Sequence, residues 1–120
     1  MENIIIDKTD ISPEVKLDIS GEISISGMSM MEDPSDFYLQ AYNWVNEYIS
    51  SGNNILNISF DLSYFNSSSS KQILKLLMAI DEAEIDSKVK WNYPNDNDFL
   101  RERGEEFAIM LDLPFEYVAK

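Results

Sequence analysis

The sequence predicts an α/β fold, a single domain over residues 1–120 with a mixed β-sheet and about three helices. Three observations carry that reading. Two segments near the N-terminus alternate apolar and polar residues with a period of two, as the strands of a hairpin do. Beyond them, helix-like and strand-like segments alternate to the end of the chain, the order that layers helices on a sheet. A length of 120 residues with 44% hydrophobic side chains is enough to close one core without covalent staples.

Taken in order, Ile4-Ile5-Ile6 is a short apolar run, followed by the alternating segments Val15 to Ile19 and Ile23 to Ile25, with Ser20-Gly21 as the hairpin turn between them. After the methionine-rich Met28-Ser29-Met30-Met31, Asp33 suits an N-cap and Pro34 the first helical position, so a helix is expected from about Pro34 to Ser50. Phe37, Ala41, Trp44, Val45, Tyr48 and Ile49 follow the spacing of one buried stripe, and Gly52-Asn53 supplies the stop.

Asn54 to Asp61 reads as a central strand covered on both faces, and a second helix follows from about Ser68 to Ala83. Val89 to Tyr93 alternates and ends at Pro94, which marks another strand. Asn95 or Asp96 can cap a third helix, with Phe99, Leu100, Arg103, Phe107, Met110 and Leu111 on its inner side. Gly104 lies within that helix, where glycine costs about 1 kcal/mol relative to alanine; a close approach of helix and sheet would explain it. The tail Leu113 to Val118 is apolar enough to dock back onto the domain.

Composition closes off much chemistry. There is no cysteine and no histidine, so disulfides, zinc–thiolate sites, thiol nucleophiles and the commonest general base are absent, and no metal or cofactor is expected. No apolar stretch has the length of a spanning helix or the pattern of a signal peptide, which leads us to expect a cytoplasmic protein with no membrane insertion. A formal charge of −13 repels nucleic-acid phosphates and anionic lipid, and favours basic partners or plain solubility.

The densest concentration of chemistry is Asn66-Ser67-Ser68-Ser69-Ser70, at the junction of the central strand and the second helix. Unpaired N–H groups and the positive end of the macrodipole meet there. Three uses compete for the hydroxyls. One is capping, with Ser69 and Gln72 as a capping box, or Ser67 with Ser70, or Ser68 with Lys71 as poorer caps. Another is phosphorylation, which adds about −1.5 to −2 charges and either orders the helix start or spoils an interface. The last is binding of a free phosphate or nucleotide; the absence of glycine in the segment argues against it. Asn95-Asp96-Asn97-Asp98 has the look of a calcium loop, but Leu100 falls where an oxygen ligand belongs, so it reads as a cap and turn. Glu102, Glu105 and Glu106 read as the wet face of the third helix.

The order strand, Asp61-Leu62-Ser63, aromatic link, Asn66-Ser67-Ser68-Ser69, helix resembles the phosphorylatable segment of STAS domains, the fold of bacterial anti-sigma-factor antagonists. Those domains typically carry Asp-Ser-Ser-Gly; here Asn66 replaces the aspartate and no glycine follows. Across nearly the whole length the chain is similar to the SiaC-like family of bacterial regulatory phosphoproteins. The similarity rests on Pro13-Glu14-Val15, Phe37-Tyr38 and Trp44, Tyr64-Phe65-Asn66-Ser67-Ser68-Ser69, Trp91-Asn92-Tyr93 and Asp112-Leu113-Pro114-Phe115.

That resemblance implies a STAS-like/SiaC-like fold and a partner-switch protein that is not an enzyme. It implies a protein kinase that phosphorylates the residue after the asparagine, here Ser67 with Ser68 and Ser69 as alternatives, and a PP2C-type phosphatase that removes the phosphate. The unphosphorylated form would bind and activate a diguanylate cyclase, raising cyclic di-GMP and promoting biofilm formation. Tyr64, Phe65, Asn66 and Lys71 would meet the partner, and Lys71 could instead pair with the phosphate. The rival readings are an anti-sigma-factor antagonist, a nucleotide-binding domain, and a structural subunit whose serines only cap a helix.

Overall fold

The protein is described by a computed structural model covering residues 1–120. The order of elements is β1 (Ile4–Ile6), β2 (Glu14–Asp18), β3 (Glu22–Ser29), α1 (Ser35–Ser50), β4 (Ile55–Phe65), α2 (Ser67–Glu82), β5 (Asp86–Tyr93), α3 (Asp98–Ile109) and β6 (Phe115–Ala119). The six strands form one mixed sheet in chain order, with β1, β2 and β3 antiparallel and β3 to β6 parallel. The expected α/β domain with three helices is what folds. The tail does dock back, as the parallel edge strand β6.

Each parallel crossover advances by one strand in the same direction, so the right-handed preference of such connections puts all three helices on one face. Burial follows. Val15 and Leu17, Ile23 and Ile25, Leu56, Ile58 and Phe60, and Val89 and Trp91 are buried against the helices, whereas Lys16, Lys88 and Lys90 on the opposite face are exposed. The expectation that β4 is covered on both faces is therefore corrected: Asn57, Ser59 and Asp61, at every second position, look out from the open side and are only partly buried. Period-two alternation was present in that strand all along, and it specifies a one-sided sheet.

Helix boundaries shift by one or two residues for identifiable reasons. Pro34 occupies the cap position of α1, and Asp33 bonds instead to the Ser35 hydroxyl at 2.7 Å, which holds its carboxyl below the usual range. Asn97, not Asn95 or Asp96, caps α3, because a turn from the Asn97 N–H to the Pro94 carbonyl ends there. The buried stripe of α3 is Leu100, Gly104 and Phe107; Phe99 and Met110 face solvent. Gly104 marks the expected close approach, since a Cβ there would lie 2.6 Å from the Trp91 indole. That contact presses α3 onto β5 and seats Trp91, whose Nε1 donates to the Leu100 carbonyl at 2.9 Å.

Candidate functional site at the start of α2

The first turn of α2 stands at the C-terminal end of the central strand β4, the edge of a parallel sheet where α/β proteins place their sites. Asn66 sets it. Its backbone is extended (φ −85°, ψ 174°), its Oδ1 accepts from the Ser69 N–H at 2.9 Å, and its Nδ2 donates to the Met31 carbonyl at 2.9 Å. The Asn66 N–H also donates to the Ser29 carbonyl at 3.0 Å, so one residue locks the helix start to the end of β3. None of the three serine caps expected from the sequence forms. Asparagine is as good a cap as serine, and taking that position starts the helix one residue earlier, at Ser67.

With the cap supplied by Asn66, the four hydroxyls separate into distinct roles. Ser69 is completely buried. Its Oγ donates to the Ser29 carbonyl at 3.1 Å and accepts from Ser29 Oγ at 2.6 Å. Ser29 Oγ is also 2.7 Å from the Tyr38 hydroxyl. Because the one proton of Ser29 Oγ goes to Ser69, Tyr38 is the donor in that pair, and the chain runs from Tyr38 through Ser29 and Ser69 to a carbonyl. Burial pushes the Tyr38 hydroxyl up to about 12, against the opposing effect of its bond to Ser29. Ser69 is thus a structural tie between α1, β3 and α2, and its place among the alternative phosphoacceptors is corrected: no kinase reaches an Oγ enclosed in this way.

Ser70 is held by α3, its Oγ accepting from Arg103 Nη2 at 3.0 Å. Ser68 is half-buried, and Ser67 is exposed; neither hydroxyl has a hydrogen-bond partner within the chain. Ser67 is therefore the one freely presented hydroxyl of the four. No acidic residue stands in this first turn, whereas Asp36 and Asp98 stand in the first turns of α1 and α3.

Of the residues expected to meet a partner, the structure separates exposed from buried. Tyr64 is 46% exposed and pairs across the sheet with Met28, which is also partly exposed. Lys71 is exposed and has no ion pair within the chain. Asn66 is half-buried with both ends of its amide occupied. Phe65 is buried, its ring 6.0 Å from Trp91 and 6.1 Å from Phe107, so its expected direct contact with a partner is corrected to a supporting role. The site residue that sequence reasoning missed is Arg103. Read as part of the inner stripe of α3, it lies with its guanidinium 4.8 Å above the Phe65 ring and reaches the first turn of α2. Its spacing from Phe99 and Phe107 gave the position; only the fold reveals the target.

Fold and site together define a one-sided α/β domain that offers a serine at a helix start without an acid and no cluster of groups able to hold a metal. Comparison with known proteins sharpens that class. The profile of the SiaC family, described as SiaC family regulatory phosphoprotein, matches residues 6–120. An uncharacterised protein of Pseudomonas aeruginosa strain UCBPP-PA14 is 28% identical over 119 residues, covering 96% of this chain and 94% of its own length. The crystal structure of apo-SiaC from Pseudomonas aeruginosa superposes with a TM-score of 0.88 at 28% identity, over 99% of this chain and all of that one. SiaC in the crystal structure of diguanylate cyclase SiaD with its activator SiaC, from the same species, superposes at 0.92 with 27% identity, over 98% of this chain and 99% of that one. The chain belongs to the SiaC family of regulatory phosphoproteins.

Proposed function

We propose that this protein is a phosphorylation-controlled switch acting through Ser67, and that its unphosphorylated form binds and activates a diguanylate cyclase in the cytoplasm. A protein kinase charges Ser67, a PP2C-type phosphatase discharges it, and the domain itself catalyses nothing. The observation that carries this reading is the exposed, unbonded Ser67 hydroxyl in a first turn without an acid. The crystallised complex of the related SiaC with its cyclase supports the choice of partner. Family membership favours this over an anti-sigma-factor antagonist.

The physics is asymmetric between the two states. An uncharged hydroxyl is easily covered by a partner that also touches Tyr64 and Lys71. A phosphate at the same point carries about −1.5 to −2 charges, and covering it without a matching cation on the partner costs several kcal/mol, enough to lower affinity by orders of magnitude. The test is mass-spectrometric mapping of the peptide containing Asn66 to Ser70 from native cells, with and without phosphatase treatment. Phosphate on Ser67 is expected. Phosphate confined to Ser68 moves the switch by one residue, and none under any growth condition removes it.

A further inference from the structure

We propose that Arg103 is the residue that reads the phosphate on Ser67, binding it within the same chain. The inference rests on the proposed phosphorylation of Ser67 and goes beyond it, because sequence spacing favours Lys71 as the local cation. Three features of the fold select Arg103 instead.

The guanidinium is already aimed at the right turn. Arg103 Nη2 donates to Ser70 Oγ at 3.0 Å, and Ser70 is three residues on from Ser67, on the same side of α2. Side chains at that spacing have Cβ atoms about 5–6 Å apart, a gap that the added P–O bonds of a phosphoserine cover. Lys71 is four residues on from Ser67 but exposed, with no hydrogen bond or ion pair holding it toward the helix start.

Arg103 is also preorganised. Its guanidinium rests 4.8 Å over the buried Phe65 ring and 5.8 Å from Phe99, while its Nε lies 3.6 Å from Glu106. The side chain is 22% exposed, whereas Glu106 is 64% exposed. A phosphate dianion therefore competes for the guanidinium against one neutral hydroxyl and one well-solvated carboxylate, both weaker acceptors than itself. Several of the five N–H donors remain to be filled, and a planar fork suits two phosphate oxygens at once.

Finally, Gly104 presses α3 against Trp91, so the base of Arg103 cannot drift away from α2 without opening that contact. In the phosphorylated state the guanidinium is drawn toward position 67 and away from Glu106 and Phe99. A partner then meets two changes together, the new charge and a rearranged Arg103–Phe99 surface.

The test is a four-cornered comparison of thermal unfolding. Serine or phosphoserine is placed at position 67 by genetic-code expansion, each with native Arg103 and with Arg103→Met, which keeps the stem packed on Phe65. Phosphoserine is expected to raise Tm by roughly 3–6 °C with Arg103 and by no more than about half as much with Arg103→Met, where only the positive helix end remains to meet the phosphate. Equal shifts in the two backgrounds overturn the proposal. If Arg103→Met fails to fold, the Arg103 Nε–H resonance of the otherwise native protein decides: it moves on phosphorylation if the contact forms, and stays in place if it does not. Because the phosphoserine is incorporated during translation, with no kinase involved, this result stands apart from whether cells phosphorylate Ser67, which the peptide mapping answers.

Discussion

Helices α2 and α3 begin alike and are finished differently. Each has an asparagine cap whose side chain accepts an N–H three residues on, at 2.9 Å for Asn66 to Ser69 and 3.1 Å for Asn97 to Leu100. The backbone thus offers the same positive end in both places. In α3, Asp98 meets that end with a permanent negative charge; in α2, four serines leave it without an acid, and the Arg103 guanidinium reaches it from α3. In a chain with 22 acidic residues, the omission is notable, and it is what a reversible charge requires. A helix start already occupied by a carboxylate gains little from a phosphate.

The largest expected effect tests how unlike the serines of α2 are. Ser69→Asp places a carboxylate where Ser29 and Tyr38 close the site, and should destabilise by about 3–5 kcal/mol or prevent folding; Ser67→Asp should be neutral or stabilising by about 0.3–1 kcal/mol. Urea titration of both variants separates them, and equal losses would erase the distinction between buried and presented hydroxyls. Alkaline unfolding follows in size. The folded-state value of Tyr38 lies above its unfolded value near 10, so its contribution is complete below pH 10 and is lost as pH rises toward about 12. The loss should approach roughly 2–3 kcal/mol, and it should vanish from the pH profile of Tyr38→Phe.

The caps come next. Asn66→Ala and Asn97→Ala should each cost about 0.5–2 kcal/mol, with Asn66 the larger, because its amide also serves the Met31 carbonyl. A larger loss at Asn97 would mean that α2 is held chiefly by packing. Smallest is the exchange of charge at the two starts. Asp98→Ala should lose about 0.3–1 kcal/mol at low salt, and Ser67→Ala almost nothing, a contrast that salt should shrink.

Much of this was legible in the chain. The period-two cores of β2 and β3 and most of the α1 stripe (Ala41, Trp44, Val45 and Tyr48) stand where the pattern puts them, because each is decided by local burial on one side. The structure differs in burying Tyr38 in place of Phe37, leaving Ile49 partly exposed and placing Ile19 beyond the end of β2. What the sequence hid depends on contacts distant in the chain. Ser69 differs from Ser67 only through Ser29, forty residues earlier, and Arg103 acts on a turn more than thirty residues before it. The cap differs from the expectation for a simpler reason: Asn66 ranks with the serines as an N-cap and precedes them in the chain. Tyr64 and Phe65 look like one aromatic link in the sequence, yet β4 runs through both and sends them to opposite environments.

The central claim, that charge on Ser67 decides partnership, is tested most directly by titration calorimetry. The chain with serine or with phosphoserine at position 67 is titrated into the diguanylate cyclase of its own organism. The account predicts binding by the serine form and a loss of at least about 100-fold in affinity for the phosphoserine form, equivalent to about 2.7 kcal/mol. Equal affinity of the two forms, or no binding by the serine form, would contradict it.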